Sequence, residues 1–244
     1  MRPALPLVLL AAASASAQSP AAVWATDSAA PCAGLTVGWH VPASTLQPVV
    51  GARGTVDADP SGRGVVLLFA TTCPGSTIDG RGTGPAALGA AIVRLAPQTD
   101  SSLPAQTRWS AVPAAYGPAG EPVTRLFERS GFQMATGRVS LRADSSGGAR
   151  RVTFTIETAA GTVEATALIG DSVSRFDLTG ALIATDAPHP GRFAGREWAT
   201  RRGGTATVRA TGATLLSRLG ITAPPDIVAF DTGFGWRFTF SSGR

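Results

Sequence analysis

The chain has 244 residues, 44% of them hydrophobic, and a formal net charge of +5 in which every basic residue is Arg. This charge is modest and scattered along the chain, so nucleic acid is not an expected partner. The absence of Lys excludes Schiff-base catalysis through a lysine, a pyridoxal-phosphate lysine and a Walker-type phosphate lysine.

At the start, Arg2 forms a short positive region and Leu5 to Ala13 an apolar stretch too short to span a bilayer. Ala15-Ser16-Ala17 supplies the small-x-small pattern of a signal-peptidase site. Residues 1–17 are therefore expected to be a signal peptide, with an exported (periplasmic or extracellular) protein beginning at Gln18. No later stretch approaches the length of a membrane helix. Residues 18–31 read as a flexible lead-in that Trp24 could pin, and residues 32–244 as a single β-rich domain. Cys32 and Cys73 are the only cysteines, and in an oxidising compartment an even count reads as a disulfide.

Leu35 to Val41 reads as a strand, followed by a short helix entered at Pro42 and ended by Pro48 and Gly51. Gly51 to Gly64 is an expected loop, Val65 to Ala70 a core strand, Pro74 to Pro85 a second loop and Ala86 to Leu95 a buried strand. A brief strand is expected at Trp109 to Val112. The strongest helix pattern follows, from Glu121-Pro122 with Val123, Leu126 and Phe127 on one face to a stop at Gly131. Period two then takes over in a meander of Gln133–Ala143, Arg151–Thr158 and Thr162–Ile169. Arg175 to Ala184, Thr205 to Ala210 and Asp226 to Phe230 are further strands, Thr214 to Leu219 a short helix, and Trp236, Phe238 and Phe240 a closing strand. The expected fold is mainly β: a single antiparallel β-barrel or strongly curled sheet with two or three short helices.

Three motifs resemble known chemistry. Gly170-Asp171-Ser172 with Asp186 and His189 resembles blocks of the GDSL hydrolases, but only 13 residues separate Ser172 from Asp186 and the chain has no Asn for the oxyanion. A hairpin turn is the simpler reading. Asp231-Thr232-Gly233 resembles half of an aspartic-protease site; it has no second copy and reads as a β-turn. The Phe238–Phe240 ending resembles outer-membrane barrels, although one tyrosine cannot supply their aromatic girdles. The segment with Arg192, Arg196, Arg201 and Arg202 is the most basic stretch and reads as a solvated face. No His, Cys or carboxylate spacing suits a metal, and no cofactor is expected.

The order of elements resembles the acetoacetate decarboxylase-like barrels over residues 33–240. A strand runs into Trp39-His40-Val41-Pro42 and a turn of helix, then come a loop, Val65–Ala70, a Gly-rich segment, Ala86–Leu95, a helix and a meander. The resemblance implies a closed barrel with an internal pocket. That family works through a Schiff-base lysine, so its decarboxylation route is not implied here. Calycin-like binding barrels fit the same pattern. The expected function is binding of a small apolar or anionic molecule, with His40, Trp39, Phe69, Arg94 and Arg138 as candidate pocket residues. The alternatives are an enzyme using His40 with a carboxylate, and a structural or outer-membrane protein of the cell envelope.

Overall fold

The computed structural model describes residues 22–26, 31–51, 54–98, 107–144, 150–170, 172–184 and 191–240. Twelve strands and three short helices follow one another: β1 Ala22–Thr26, β2 Cys32–Pro42, α1 Ala43–Val50, β3 Arg63–Ile78, β4 Arg81–Arg94, β5 Arg108–Gly117, α2 Pro122–Arg129, β6 Met134–Asp144, β7 Arg150–Thr158, β8 Gly161–Ile169, β9 Val173–Ala184, β10 Gly191–Arg202, β11 Gly204–Gly212, α3 Leu215–Arg218 and β12 Ile227–Phe240. Pairings run from β2 through β3, β4, β5, β9 and β10 to β12, which also pairs with β2, so the sheet is strongly curled. A second run, β6–β7–β8–β11, branches from β5.

The chain is mainly β with three short helices and matches the strongly curled sheet of the two expected forms; the sheet is mixed, because β5 pairs in parallel with both β6 and β9. An outer-membrane barrel is antiparallel throughout, so this topology also argues against that alternative. Among the described residues no helix is long and apolar enough to cross a membrane.

Alternation in β2 and β3 gives the curled sheet two buried faces. Leu35, Val37, Val66 and Leu68 join Phe154 and Ile156 of β7 in the larger apolar cluster. On the other face, Cys32, Cys73, Leu88 and Phe238 pack with Trp24 of β1 and with Val123, Leu126 and Phe127 of α2. The expected disulfide forms between Cys32 and Cys73, 41 positions apart.

Several elements differ from the sequence reading. The lead-in contains β1, which pairs with β12 and β3 and buries Trp24 to 1% exposure. The expected loop from Pro74 to Pro85 is instead the distal half of a long β3–β4 hairpin that turns at Asp79-Gly80. Its ladder is irregular between Cys73 and Thr77, beside two prolines that cannot donate backbone hydrogen bonds. The basic stretch is strand β10, paired on both sides. Asp231-Thr232-Gly233 is no turn: β12 runs through it with a bulge between Thr232 and Phe234. Strands β8 and β9 do not pair as a hairpin: β8 pairs with β7 and β11, while β9 pairs with β10 and β5. Asp171, Asp186 and His189 lie outside the described residues.

The β8–β11 edge depends on glycine. Gly161 faces Gly212 with φ of 156°, and a Cβ there would lie 2.1 Å from the Thr211 carbonyl oxygen. Gly161→Ala is expected to lower stability by roughly 1–3 kcal/mol, read by urea denaturation. A change near zero would mean that this edge relaxes freely.

Candidate functional site

The β3–β4 hairpin and the start of α2 together line an open cavity of about 320 Å³. Ala33 of β2, Thr72, Cys73 and Pro74 of β3, and Pro85 to Ala87 of β4 supply most of its wall, and Glu121 supplies its carboxylate. Pro74 and Pro85 sit where the ladder shifts register, a bulge that bends the hairpin beside this surface. The disulfide forms part of the same wall.

Glu121 is the N-cap of α2, in extended backbone immediately before Pro122. Its carboxyl accepts the backbone N–H of Ala87, while Oε2 is enclosed without a hydrogen-bond partner. Burial disfavours the carboxylate more than the Ala87 N–H favours it, so the pKa is raised above the ordinary 4.5. The folded chain therefore holds this proton to higher pH than the unfolded chain does. Its contribution to stability is fully present below pH 4.5 and is lost as pH rises through the folded-state value. Chemically, the group is a carboxyl that can donate a hydrogen bond when protonated and act as an acid or base within an apolar cavity.

Glu121 has no place among the candidates read from sequence. There it serves only as the entry to a helix, and its approach to β4 depends on how α2 docks. The candidates that were named are distributed elsewhere. Trp39 is 3% exposed in the larger apolar cluster, with its Nε1 donating to the Ala223 carbonyl at 2.9 Å. Phe69 is half-buried against the opposite cluster. Arg94, at the end of β4, and Arg138, on β6 opposite Glu157, are both exposed. None of these residues, nor His40, lines the cavity beside Glu121.

His40 does gain a carboxylate partner that its position in sequence does not reveal. Asp226, 186 positions away, approaches His40 Nδ1 at 3.1 Å and accepts the His40 backbone N–H at 3.3 Å. Arg63 donates to the His40 carbonyl. Both side chains of the pair are partly exposed, at 39% and 47%. A carboxylate on Nδ1 orients the ring and directs Nε2 outward, the arrangement a histidine base uses. A second polar pair is buried: Thr200 donates to Asp231 across the β10–β12 ladder. Among the described residues, no three His, Cys, Asp or Glu side chains converge in a way that could hold a metal ion.

No family profile and no curated protein sequence matches the chain. Solved structures do. An acetoacetate decarboxylase-like enzyme from Sphingomonas wittichii RW1 is 13% identical, with a TM-score of 0.57 over 90% of this chain and 91% of its own. Acetoacetate decarboxylase from Legionella pneumophila is 12% identical, with a TM-score of 0.59 over 93% of this chain and 87% of its own. The enduracididine biosynthesis enzyme MppR, in a structure complexed with pyruvate, is 14% identical, with a TM-score of 0.54 over 95% and 92%. The chain thus has the acetoacetate decarboxylase-like fold.

Proposed function

We propose that this chain is an exported protein that binds a small, largely apolar molecule or small organic anion in the cavity beside Glu121, without lysine-dependent catalysis. The observation that carries the reading is the cavity of about 320 Å³, apolar for most of its wall, into which a single carboxyl with a raised pKa is built. Export is supported by the Leu5–Ala13 stretch and the Ala15-Ser16-Ala17 site, and a disulfide suits an oxidising compartment. MppR, which shares the fold, binds pyruvate in its crystals, so pyruvate is a sensible first probe.

Protonated Glu121 donates to an incoming carboxylate, whereas ionised Glu121 repels it. Pyruvate binding is therefore expected to tighten as pH falls through the Glu121 pKa, by at most about tenfold per pH unit. Calorimetry between pH 5 and 8 checks this, with Glu121→Gln expected to remove the Glu121-linked part of the pH dependence. Equal pH dependence in the two proteins, or no binding by either, would overturn the reading. Export is tested separately by mass spectrometry of the protein recovered from the host, where a mature N-terminus at Gln18 is expected.

An enzymatic reading rests on the 3.1 Å His40–Asp226 pair and on the fold shared with enzymes. It predicts that His40→Gln abolishes whatever turnover is found while leaving the thermal midpoint almost unchanged. Turnover that survives His40→Gln removes it.

A further inference from the structure

A second cavity, of about 270 Å³, lies away from Glu121 between the ends of β5 and β6, the β7–β8 turn and α3. Its wall is mainly apolar, with Met134, Ile156, Val163 and Leu215 among the lining residues. Among its polar lining residues, Thr158 donates to the Gly161 carbonyl and Thr214 caps α3, while two others come from different elements. Tyr116 comes from β5, and Arg218 comes from the last turn of α3. Among the described residues, neither the Tyr116 hydroxyl nor the Arg218 guanidinium has a hydrogen-bond or ion-pair partner. The two are near enough for the Arg218 charge to favour the Tyr116 phenolate, although burial still raises the hydroxyl overall.

A phenol donor and a guanidinium lining one mainly apolar space match one kind of ligand. A carboxylate takes two parallel hydrogen bonds from a guanidinium and a third from a hydroxyl, while a hydrocarbon body fills the remainder. The volume is just below the roughly 300–1,000 Å³ of ordinary small-molecule sites, which selects a short body. We propose that this cavity is a second binding site, for a small carboxylic acid with a compact apolar body, held by Arg218 and Tyr116. Arg218 takes the carboxylate, Tyr116 donates to it, and Met134, Ile156, Val163 and Leu215 cover the apolar part. This site is independent of the one beside Glu121.

The sequence itself supplies a reporter, because Tyr116 is the single tyrosine of the chain. Full-length protein carrying ring-labelled tyrosine gives one tyrosine signal by NMR, and benzoate is the probe. Benzoate is expected to shift that signal saturably, and its neutral analogue benzamide to bind at least about tenfold more weakly, as loss of a charge-assisted hydrogen bond implies. Arg218→Gln should weaken benzoate by about tenfold or more on the same grounds. Tyr116→Phe, followed by calorimetry, should weaken it by about threefold to tenfold. Arg218 is exposed, so its variant is expected to fold, and an unchanged thermal midpoint confirms that. Glu121→Gln should leave benzoate binding at Tyr116 unaltered, which separates failure of this site from failure of the other. An unshifted tyrosine signal, equal binding of benzamide, or full affinity in Arg218→Gln would each overturn the proposal.

Discussion

Replacing both Cys32 and Cys73 by Ala is expected to lower the stability of the folded chain by about 4 kcal/mol. Cys32 opens β2, and Cys73 lies within β3 next to Thr72, where the two strands already pair from Ala33 with Thr72 onward. The bond therefore adds little to the folded ladder and acts mainly on the unfolded chain, closing a loop with a sequence separation of 41. For a chain of this length the loss corresponds to about 8–16 °C in Tm. Urea denaturation of the double variant, beside the oxidised parent, measures it. A loss under about 1 kcal/mol would mean that the unfolded chain is already compact in this region. Because Cys73 also lines the cavity beside Glu121, pyruvate binding by the double variant reports whether the bond shapes that wall.

Phe127→Ala is expected to be the most damaging single truncation in the smaller apolar cluster, at about 3–5 kcal/mol. Phe127 is 3% exposed and its ring meets four other aromatic rings: Phe240 at 5.0 Å, Phe132 at 5.1 Å, Phe238 at 5.3 Å and Trp24 at 5.7 Å. Through these contacts α2 is tied to both β1 and β12, the first and last strands described. Removing the ring leaves a void that helix and strands cannot fill together, since each is held by its own hydrogen bonds. Phe127→Leu, which keeps most of the volume, should cost less than about 1.5 kcal/mol. Hydrogen exchange adds a sharper readout: α2 amides should lose protection before those of β7 and β8, which pack in the other cluster. Uniform loss across both would show that the two clusters unfold as one unit.

Local chemistry made the helices and the meander legible. Glu121-Pro122 and Gly131 bound α2 in the sequence, and Phe132 N–H indeed returns to the Phe127 carbonyl at 3.1 Å with Gly131 at φ 84°. Thr214 caps α3 by accepting the Ser217 N–H, and Gly220 follows at φ 65°. In β7, Val152, Phe154 and Ile156 alternate with polar residues, as a strand with one buried face does. The cysteine pairing was legible because there is only one way to join two thiols.

What stayed hidden depends on partners far along the chain. Strand β10 is written in Gly and Arg and lacks an apolar alternation; pairing with β9 and β12 makes it a strand. The Pro74–Pro85 region has the composition of a loop, yet the paired strands leading into it extend as far as Asp79-Gly80. His40 and Asp226 meet across 186 positions, and Glu121 becomes a cavity carboxyl only where α2 docks beside β4.

By itself the sequence determined a mainly β chain with short helices, one possible disulfide and no lysine chemistry, because these follow from composition, period and residue count. Only the tertiary structure decided the mixed topology, the two cavities and which polar groups enter them. Strand pairing and burial are set by contacts between distant segments, and those contacts place Glu121 in one cavity and Tyr116 with Arg218 in the other.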